Sequence, residues 1–232
     1  MQDDPIESTF RSIAARVVAA AVHAGHPAKL LAVSKTKPVD AIRDLAGQGQ
    51  TAFGENYVQE AVDKQRELSD LDIEWHMIGP LQSNKCRAVA ENFDWLQTLD
   101  RERLLEPLAR WRPPTREPLA VLIQVNIDDE SSKSGCAVHE VAVLAEKIVA
   151  LPMLHLRGLM AIPAPVADLQ LRAKTFHRMR SLFEELRVSM PSIDTLSMGM
   201  SEDFELAIAQ GSTLVRIGTA LFGAREKHSQ QN

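Results

Sequence analysis

The chain has 232 residues, of which 45% are hydrophobic and 25% are charged, and its formal net charge is −5 at pH 7. This composition is typical of globular proteins, and the acidic balance argues against nucleic acid as the main partner because neutralising phosphates requires a basic surface. With only two cysteines, no secretory signal and no apolar run approaching ~18 residues, the sequence predicts a cytoplasmic protein that binds no membrane.

The first predicted element is a helix over residues 6–25, in which Phe10, Ile13 and Val17 recur at helical spacing. From Leu30 onward, short apolar runs alternate with amphipathic stretches. The runs predict strands over residues 30–35, 51–55, 74–79, 95–99, 119–127, 156–162, 195–199 and 214–218. The stretches predict helices over residues 39–48, 57–68, 84–92, 101–111, 138–150, 168–188 and 202–210.

Strict alternation of strands and helices indicates a parallel sheet, either doubly wound and open or closed into a barrel. Eight units favour the barrel. No Pro/Gly/Ser-rich linker or charge block divides the chain. We therefore predict a single-domain α/β protein spanning residues 1–232: a (β/α)8 TIM-type barrel with an extra N-terminal helix. Residues 1–28 would form that helix and its lead-in, and residues 226–232 a disordered tail.

Lys35 ends the first predicted strand, in the segment LLAVSKTKP. Desolvating walls and a neighbouring cation would favour the neutral amine, which is the form that attacks an aldehyde. A surface lysine that simply closes a strand fits the same residues.

The loops after strands seven and eight commonly bind phosphate in such barrels. There, Ser201 stands where a helix N-cap is expected, and Gly218 and Thr219 open a second turn, so hydroxyls and backbone N–H groups could form an anion cradle. Arg216 shares a strand face with Gly218, and closure of the barrel would bring it near Lys35. A structural ion-pair role for Arg216 is the alternative.

Other candidates at the mouth are Asn56, Tyr57 and His76, although lone asparagines and histidines are commonly satisfied structural groups. Glu202 and Asp203 would repel a phosphate unless they face solvent.

Several other interpretations fail on pattern or spacing. The helix over 168–188 carries a basic face, which we interpret as solvated: Arg172, Lys174, Arg178 and Arg180. Cys136 and His139 have a ligand-like separation but no second pair, so no metal site is expected. Dinucleotide, phosphate-loop and GxSxG motifs are absent from the sequence.

With these residues in place, the sequence resembles the pyridoxal phosphate homeostasis protein family. The resemblance runs from about Leu30 to Arg225 through AVSKTKP, FGENYVQE, WHMIGPLQSNK, SKSG, RGLMAI, SMGMSEDFELAIAQGSTLVRIG and ALFG. It implies a barrel related to the N-terminal domain of alanine racemase, with pyridoxal 5′-phosphate (PLP) bound covalently as an aldimine, a Schiff base with a lysine.

The resemblance also implies residue roles. By their matching positions, Lys35 is the aldimine lysine, Arg216 faces the pyridine nitrogen, and Ser201, Gly218 and Thr219 hold the phosphate.

Two further positions, Asn56 and His76, match the cofactor's surroundings. The implied role is PLP binding, buffering and delivery without strong catalytic activity, with apo PLP-dependent enzymes as acceptors. A two-base racemase needs a second proton-transfer group, which the related racemase takes from a tyrosine of another domain, and the single tyrosine here is Tyr57. An arginine at the pyridine nitrogen also makes the ring a poorer electron sink.

The alternatives are a low-activity PLP-dependent amino-acid racemase or lyase, and an interaction module with a decayed site. We expect a monomer, since no long exposed apolar stripe demands a dimer. The sequence assigns no role to Lys37, Lys85 or Lys133.

Overall fold

Eight parallel strands close into a barrel in this computed structural model, which describes residues 5–130, 134–164 and 166–223. The strands are β1 Lys29–Val33, β2 Ala52–Glu55, β3 Glu74–Met77, β4 Trp95–Leu99, β5 Leu119–Gln124, β6 Leu154–Met160, β7 Thr195–Ser197 and β8 Leu214–Ile217. The helices are α1 Pro5–Ala24, α2 Val39–Gly47, α3 Val58–Glu67, α4 Cys86–Asn92, α5 Leu105–Trp111, α6 Val141–Val149, α7 Leu169–Ser189, α8 Phe204–Ala209 and α9 Thr219–Phe222.

The strands pair in chain order, and β8 returns to pair with β1, where Leu31 lies opposite Arg216. The predicted (β/α)8 TIM-type fold with an extra N-terminal helix is confirmed, and each of the eight predicted strands is present. Parallel strands are covered on both faces and therefore read as continuous apolar runs, as in β5, where all six residues are buried.

The hydrophobic residues form an outer and an inner set. The large core between strands and helices includes Phe53 of β2, Leu96 of β4 and Phe176 of α7. Two smaller clusters belong to the inner face of the barrel: Leu31, Ile78 and Leu214, and Trp95, Ala120, Leu122 and Met160. Buried polar side chains also lie inside the barrel, among them His76 and Arg216.

Helix α1 packs against α8 and α9, beside the β8–β1 seam. It buries Phe10, Ile13, Val17 and Ala21. Arg16 makes two hydrogen bonds to the carboxylate of Glu205 on α8, at 3.0 Å each.

Some element ends differ from the prediction. Strand β1 stops at Val33, so Lys35 lies in a turn rather than on the strand. Strand β5 stops at Gln124. The Val125 N–H still donates to the Met160 carbonyl, but the Asn126 N–H donates to the Cys136 carbonyl and the Cys136 N–H donates to the Gln124 carbonyl. Helix α9, of four residues, was not predicted. The tail predicted from residue 226 lies outside the described residues. Among those described, no helix is both long and apolar enough to cross a membrane.

Candidate functional site

A cavity of about 430 Å³ lies at the C-terminal ends of the strands. Six of the seven predicted cofactor-binding residues line it: Lys35, Asn56, Ser201, Arg216, Gly218 and Thr219. The closure of the barrel brings together residues from opposite ends of the chain, as the sequence predicted.

Lys35 is partly buried in the turn that follows β1. The next residue, Thr36, has a φ of 62°, a left-handed conformation that residues other than glycine seldom adopt. The backbone N–H of Thr36 donates to the Glu60 carboxylate at 2.6 Å, and that of Lys37 donates to the Ser34 carbonyl at 3.0 Å. These bonds hold the turn in a conformation that its own sequence does not favour.

A buried cluster centred on Lys64 supports this turn from below. Lys64 Nζ donates to the Ser34 carbonyl at 2.8 Å, to Glu55 Oε1 at 2.8 Å and to Glu60 Oε1 at 2.6 Å. The Ser34 hydroxyl also donates to Glu55 Oε1, at 2.6 Å. Burial raises the pKa of Glu55, and the charge of Lys64 opposes that shift. The four residues, which we call the Lys64 cluster, tie β1, β2 and α3 together behind Lys35.

Arg216 on β8 places a buried cation at the cavity wall. Its side chain is held by two uncharged acceptors, since Nη1 donates to Ser197 Oγ at 2.7 Å and Nη2 donates to the Ala161 carbonyl at 2.8 Å. Burial lowers its pKa to about 10, so the guanidinium stays protonated at neutral pH. Because neither acceptor is charged, these two hydrogen bonds do not give Arg216 the structural ion pair that was the alternative.

The loops after β7 and β8 meet at the cavity. The Ser201 hydroxyl accepts a hydrogen bond from the Ala220 N–H at 3.5 Å, which joins the two loops. Gly218 lies against β1, where an added Cβ would be 3.2 Å from the Val33 side chain and carbonyl. Thr219, an exposed residue, lines the same cavity, and binding of a phosphate by these groups stays a prediction.

The N-cap prediction for Ser201 was wrong, because α8 begins three residues later and Asp203 precedes it. The negative charge of Asp203, which was expected to repel a phosphate, is engaged by two neighbouring donors. Its Oδ1 accepts from the Met200 N–H at 2.7 Å, and its Oδ2 pairs with Arg172 at 3.1 Å. Glu202 is exposed.

Arg172 is a cavity residue that sequence reasoning missed. We interpreted it as part of a solvated helix face, but its side chain is only 11% exposed and lines the cavity. It stands in the first turn of α7, the helix that follows β6. This position could have predicted that Arg172 faces the cavity, because the start of each helix in a βα barrel lies on the functional face.

Asn56 lines the cavity, and its backbone is packed against Gly79, where an added Cβ would lie 2.1 Å from the Asn56 carbonyl oxygen. Tyr57, the next residue, is 59% exposed. Of the unassigned lysines, Lys37 lines the cavity and donates to the Phe222 carbonyl at 2.9 Å, and Lys85 is exposed. The third, Lys133, lies outside the described residues.

His76 lies deeper than the other predicted site residues, inside the barrel. It is 1% exposed, and its ring stacks on Trp95 with centroids 5.1 Å apart. Its Nε2 is 2.8 Å from Glu74 Oε1, and its Nδ1 is 2.9 Å from Gln97 Nε2. Burial lowers its pKa, which keeps the ring neutral. A direct contact with the cofactor stays a prediction.

Within the described residues, no group of three or more His, Cys, Asp or Glu side chains could hold a metal ion. Burial raises the pKa of Cys136 to about 12, so this thiol is not a nucleophile at neutral pH.

The family model of the alanine racemase N-terminal domain matches residues 10–226 of this chain. An alanine racemase from Corynebacterium glutamicum shares the fold, with a TM-score of 0.64 at 20% identity over 95% of this chain and 63% of that one.

More similar relatives define a narrower group. The pyridoxal phosphate homeostasis protein of Haemophilus influenzae is 56% identical over 208 residues, 88% of each chain, and that of Pseudomonas aeruginosa is 51% identical over 224 residues, 95% of this chain and 96% of the relative. The PipY structure of Synechococcus elongatus with PLP bound has a TM-score of 0.84 and 35% identity, and covers 94% of this chain and 100% of its own. The chain belongs to the pyridoxal phosphate homeostasis protein family.

Proposed function

We propose that the protein binds PLP in this cavity and acts in cofactor homeostasis, by binding, buffering and delivering PLP rather than by catalysis. The observation that carries the proposal is that a lysine amine, a buried arginine and a hydroxyl-bearing cradle line one cavity: Lys35, Arg216, Ser201 and Thr219. The relatives named above are homeostasis proteins, and PipY was solved with PLP bound.

The residues fit this cofactor. PLP supplies an aldehyde carbon that a primary amine attacks reversibly, and the cavity offers such an amine at Lys35. The hydroxyls of Ser201 and Thr219 suit a phosphate, which accepts hydrogen bonds. The absence of a side chain at Gly218 keeps the cradle open, since a Cβ there would press on Val33.

Arg216 would donate to the pyridine nitrogen of the cofactor. Its two hydrogen bonds to Ser197 and Ala161 use one N–H of each terminal nitrogen and leave other donors of the guanidinium for a ligand. An arginine, which cannot give up its proton, leaves the ring nitrogen unprotonated and the ring a weak electron sink. This favours holding the cofactor over reacting it.

The lining of the cavity also favours a carrier. None of the described residues that line it is a tyrosine, a histidine or a cysteine. A two-base racemase would need a second proton-transfer group opposite Lys35. Of the carboxylates and the other lysine in the described lining, Asp203 pairs with Arg172, Glu202 is exposed, and Lys37 donates to a backbone carbonyl. We therefore expect no exchange of the α-hydrogen of amino acids for deuterium above the rate given by free PLP. Exchange above that rate would favour the low-activity racemase or lyase instead.

The central test is the substitution Lys35→Ala. Wild-type protein mixed with PLP should develop a visible absorbance band from the covalent link to lysine. Lys35→Ala should abolish it, because the other lysine of the described lining, Lys37, already donates its amine to the Phe222 carbonyl. Lys174→Ala, at an exposed position on α7, is the matched control and should retain the band. A wild type that stays colourless, or a band that survives in Lys35→Ala, would contradict the assignment.

The setting of this function is part of the proposal. We expect a cytoplasmic monomer that passes PLP to apo PLP-dependent enzymes. Sedimentation should give the mass of one chain, 25.7 kDa. Loaded protein should activate an apo-enzyme in the presence of a trap for free aldehyde, and failure to do so would exclude transfer by contact.

A further inference from the structure

A single row of hydrogen-bonded side chains crosses the interior of the barrel from Arg216 at the cavity to Glu74 at the opposite end of the strands. Arg216 Nη1 is 2.7 Å from Ser197 Oγ, and Ser197 Oγ is 2.7 Å from Gln97 Oε1. Gln97 Nε2 is 2.9 Å from His76 Nδ1, and His76 Nε2 is 2.8 Å from Glu74 Oε1. We call these five residues the lumen chain.

The three central residues of the lumen chain are shut off from solvent. Ser197 and Gln97 are fully buried, and His76 is 1% exposed. They come from β7, β4 and β3, so the chain connects strands that do not all pair with one another. A buried polar group without a partner costs stability, and here each link satisfies two such groups.

The two ends of the lumen chain fix the direction of every hydrogen in it. Arg216 can only donate, so the Ser197 hydroxyl accepts from it and gives its own hydrogen to the Gln97 carbonyl. The Gln97 amide then donates to His76 Nδ1, which must be unprotonated. The remaining ring proton, on Nε2, goes to Glu74. His76 is thereby held neutral in one tautomer.

The charge at the far end supports this direction. The hydrogen bond from His76 is the largest cause of a low pKa for Glu74, about 2, so this carboxylate is ionised at neutral pH. Its side chain is 45% exposed, which gives the anion access to solvent. The lumen chain thus begins at a buried cation and ends at a hydrated anion.

We propose that Ser197, Gln97 and His76 are positioning residues for the bound cofactor, because they set the plane and the free donors of Arg216. The proposal rests on the proposed function, in which Arg216 contacts the cofactor ring. A guanidinium held by one hydroxyl and one carbonyl can rotate if the hydroxyl is lost. A misaligned planar donor loses most of its hydrogen bond to a ring nitrogen.

The test compares Ser197→Ala and Gln97→Leu with Ser212→Ala. Ser212 lies in the segment that precedes β8 and is as fully buried as Ser197. Its hydroxyl donates to the Met198 carbonyl at 2.7 Å, but it does not belong to the lumen chain. We expect all three variants to lower the melting temperature by a few degrees, as the loss of a buried hydrogen bond does. Only Ser197→Ala and Gln97→Leu should weaken PLP binding, by about tenfold, and shift the visible band.

A second measurement needs no cofactor. The Gln97 amide donates to His76 Nδ1, so nitrogen NMR of cofactor-free wild-type protein at neutral pH should show the ring protonated on Nε2 alone. A wild-type ring with a proton on Nδ1 would overturn the lumen chain. If Gln97→Leu does not fold, Ser197→Ala alone carries the comparison with Ser212→Ala.

The outcomes separate the two proposals. A wild type that takes up no PLP contradicts the proposed function, and the positioning role falls with it. A wild type that binds PLP, with Ser197→Ala and Gln97→Leu matching Ser212→Ala in affinity and absorbance, contradicts only the positioning role.

Discussion

At the scale of single residues, Gly79 shows how closely the cavity is packed. A Cβ there would lie 2.1 Å from the Asn56 carbonyl oxygen and 2.7 Å from its Cα, and backbone cannot move aside cheaply. Gly79→Ala is therefore expected to displace Asn56, to lower the free energy of unfolding by about 1–3 kcal/mol and to weaken PLP binding. Urea unfolding and absorbance titration measure the two effects.

Gly47→Ala is the control for this prediction. Gly47 is the last residue of α2, and an added Cβ would meet nothing within 4 Å. Alanine reduces the conformational freedom of the unfolded chain, so the variant should be stabilised by about 0.4–1 kcal/mol. Equal losses in both variants would show that the contact with Asn56 is not the cause.

The residues of the site were predictable where local sequence or barrel topology determines them. Lys35, Ser201 and Arg216 could be placed because a βα barrel has one functional face and because its last strand pairs with its first. Arg172 was missed because helical periodicity identifies a polar face but not what lies over the end of the helix. Gln97 and Ser197 are 100 residues apart, and no local pattern marks such a pair.

At the scale of elements, the Lys64 cluster joins β1, β2 and α3. Lys64→Met would leave the Glu55 carboxylate, which is fully buried, without its cation. We expect a loss of about 3–5 kcal/mol in the free energy of unfolding, with part of it recovered when Glu55→Gln is added. Because Lys64 also supports the turn of Lys35, PLP binding should weaken in the single variant.

Arg66→Met provides the comparison on the same helix. Arg66 pairs with Asp63, and their side chains are 72% and 53% exposed. An exposed ion pair of this kind contributes at most about 1 kcal/mol. If Lys64→Met lowered the free energy of unfolding no more than Arg66→Met does, the Lys64 cluster would not stabilise the turn of Lys35.

Element ends were less predictable than the elements themselves. The apolar pattern of β5 extended the prediction to residue 127, and Val125 and Ile127 are indeed buried, at 2% and 4% exposure. Both residues lie in the loop after β5. The prediction included them because a hydrophobic pattern indicates burial and not backbone pairing. Helix α9 is one turn long, which is too short for any periodicity to appear.

At the scale of the whole molecule, we expect α1 to stabilise the closure of the barrel, because it packs against α8 and α9. Two adjacent valines test this: Val17 is 3% exposed and Val18 is 60% exposed. Val17→Ala should lower the free energy of unfolding by about 2 kcal/mol, because it removes two buried methyl groups. Val18→Ala should stay within about 0.5 kcal/mol of the wild type in urea unfolding. If both substitutions changed the free energy of unfolding by similar amounts, the packing of α1 would add little to the stability of the barrel.

The return of β8 to β1 has a consequence for synthesis of the protein. The ribosome releases Lys35 early, but Arg216 and the cradle loops emerge only after some 180 further residues, so the cavity cannot exist on a partial chain. Contacts this far apart in sequence also form slowly. A nascent or truncated chain therefore carries Lys35 without the rest of the cavity, so that, under the proposed function, binding of PLP would mark a completed molecule.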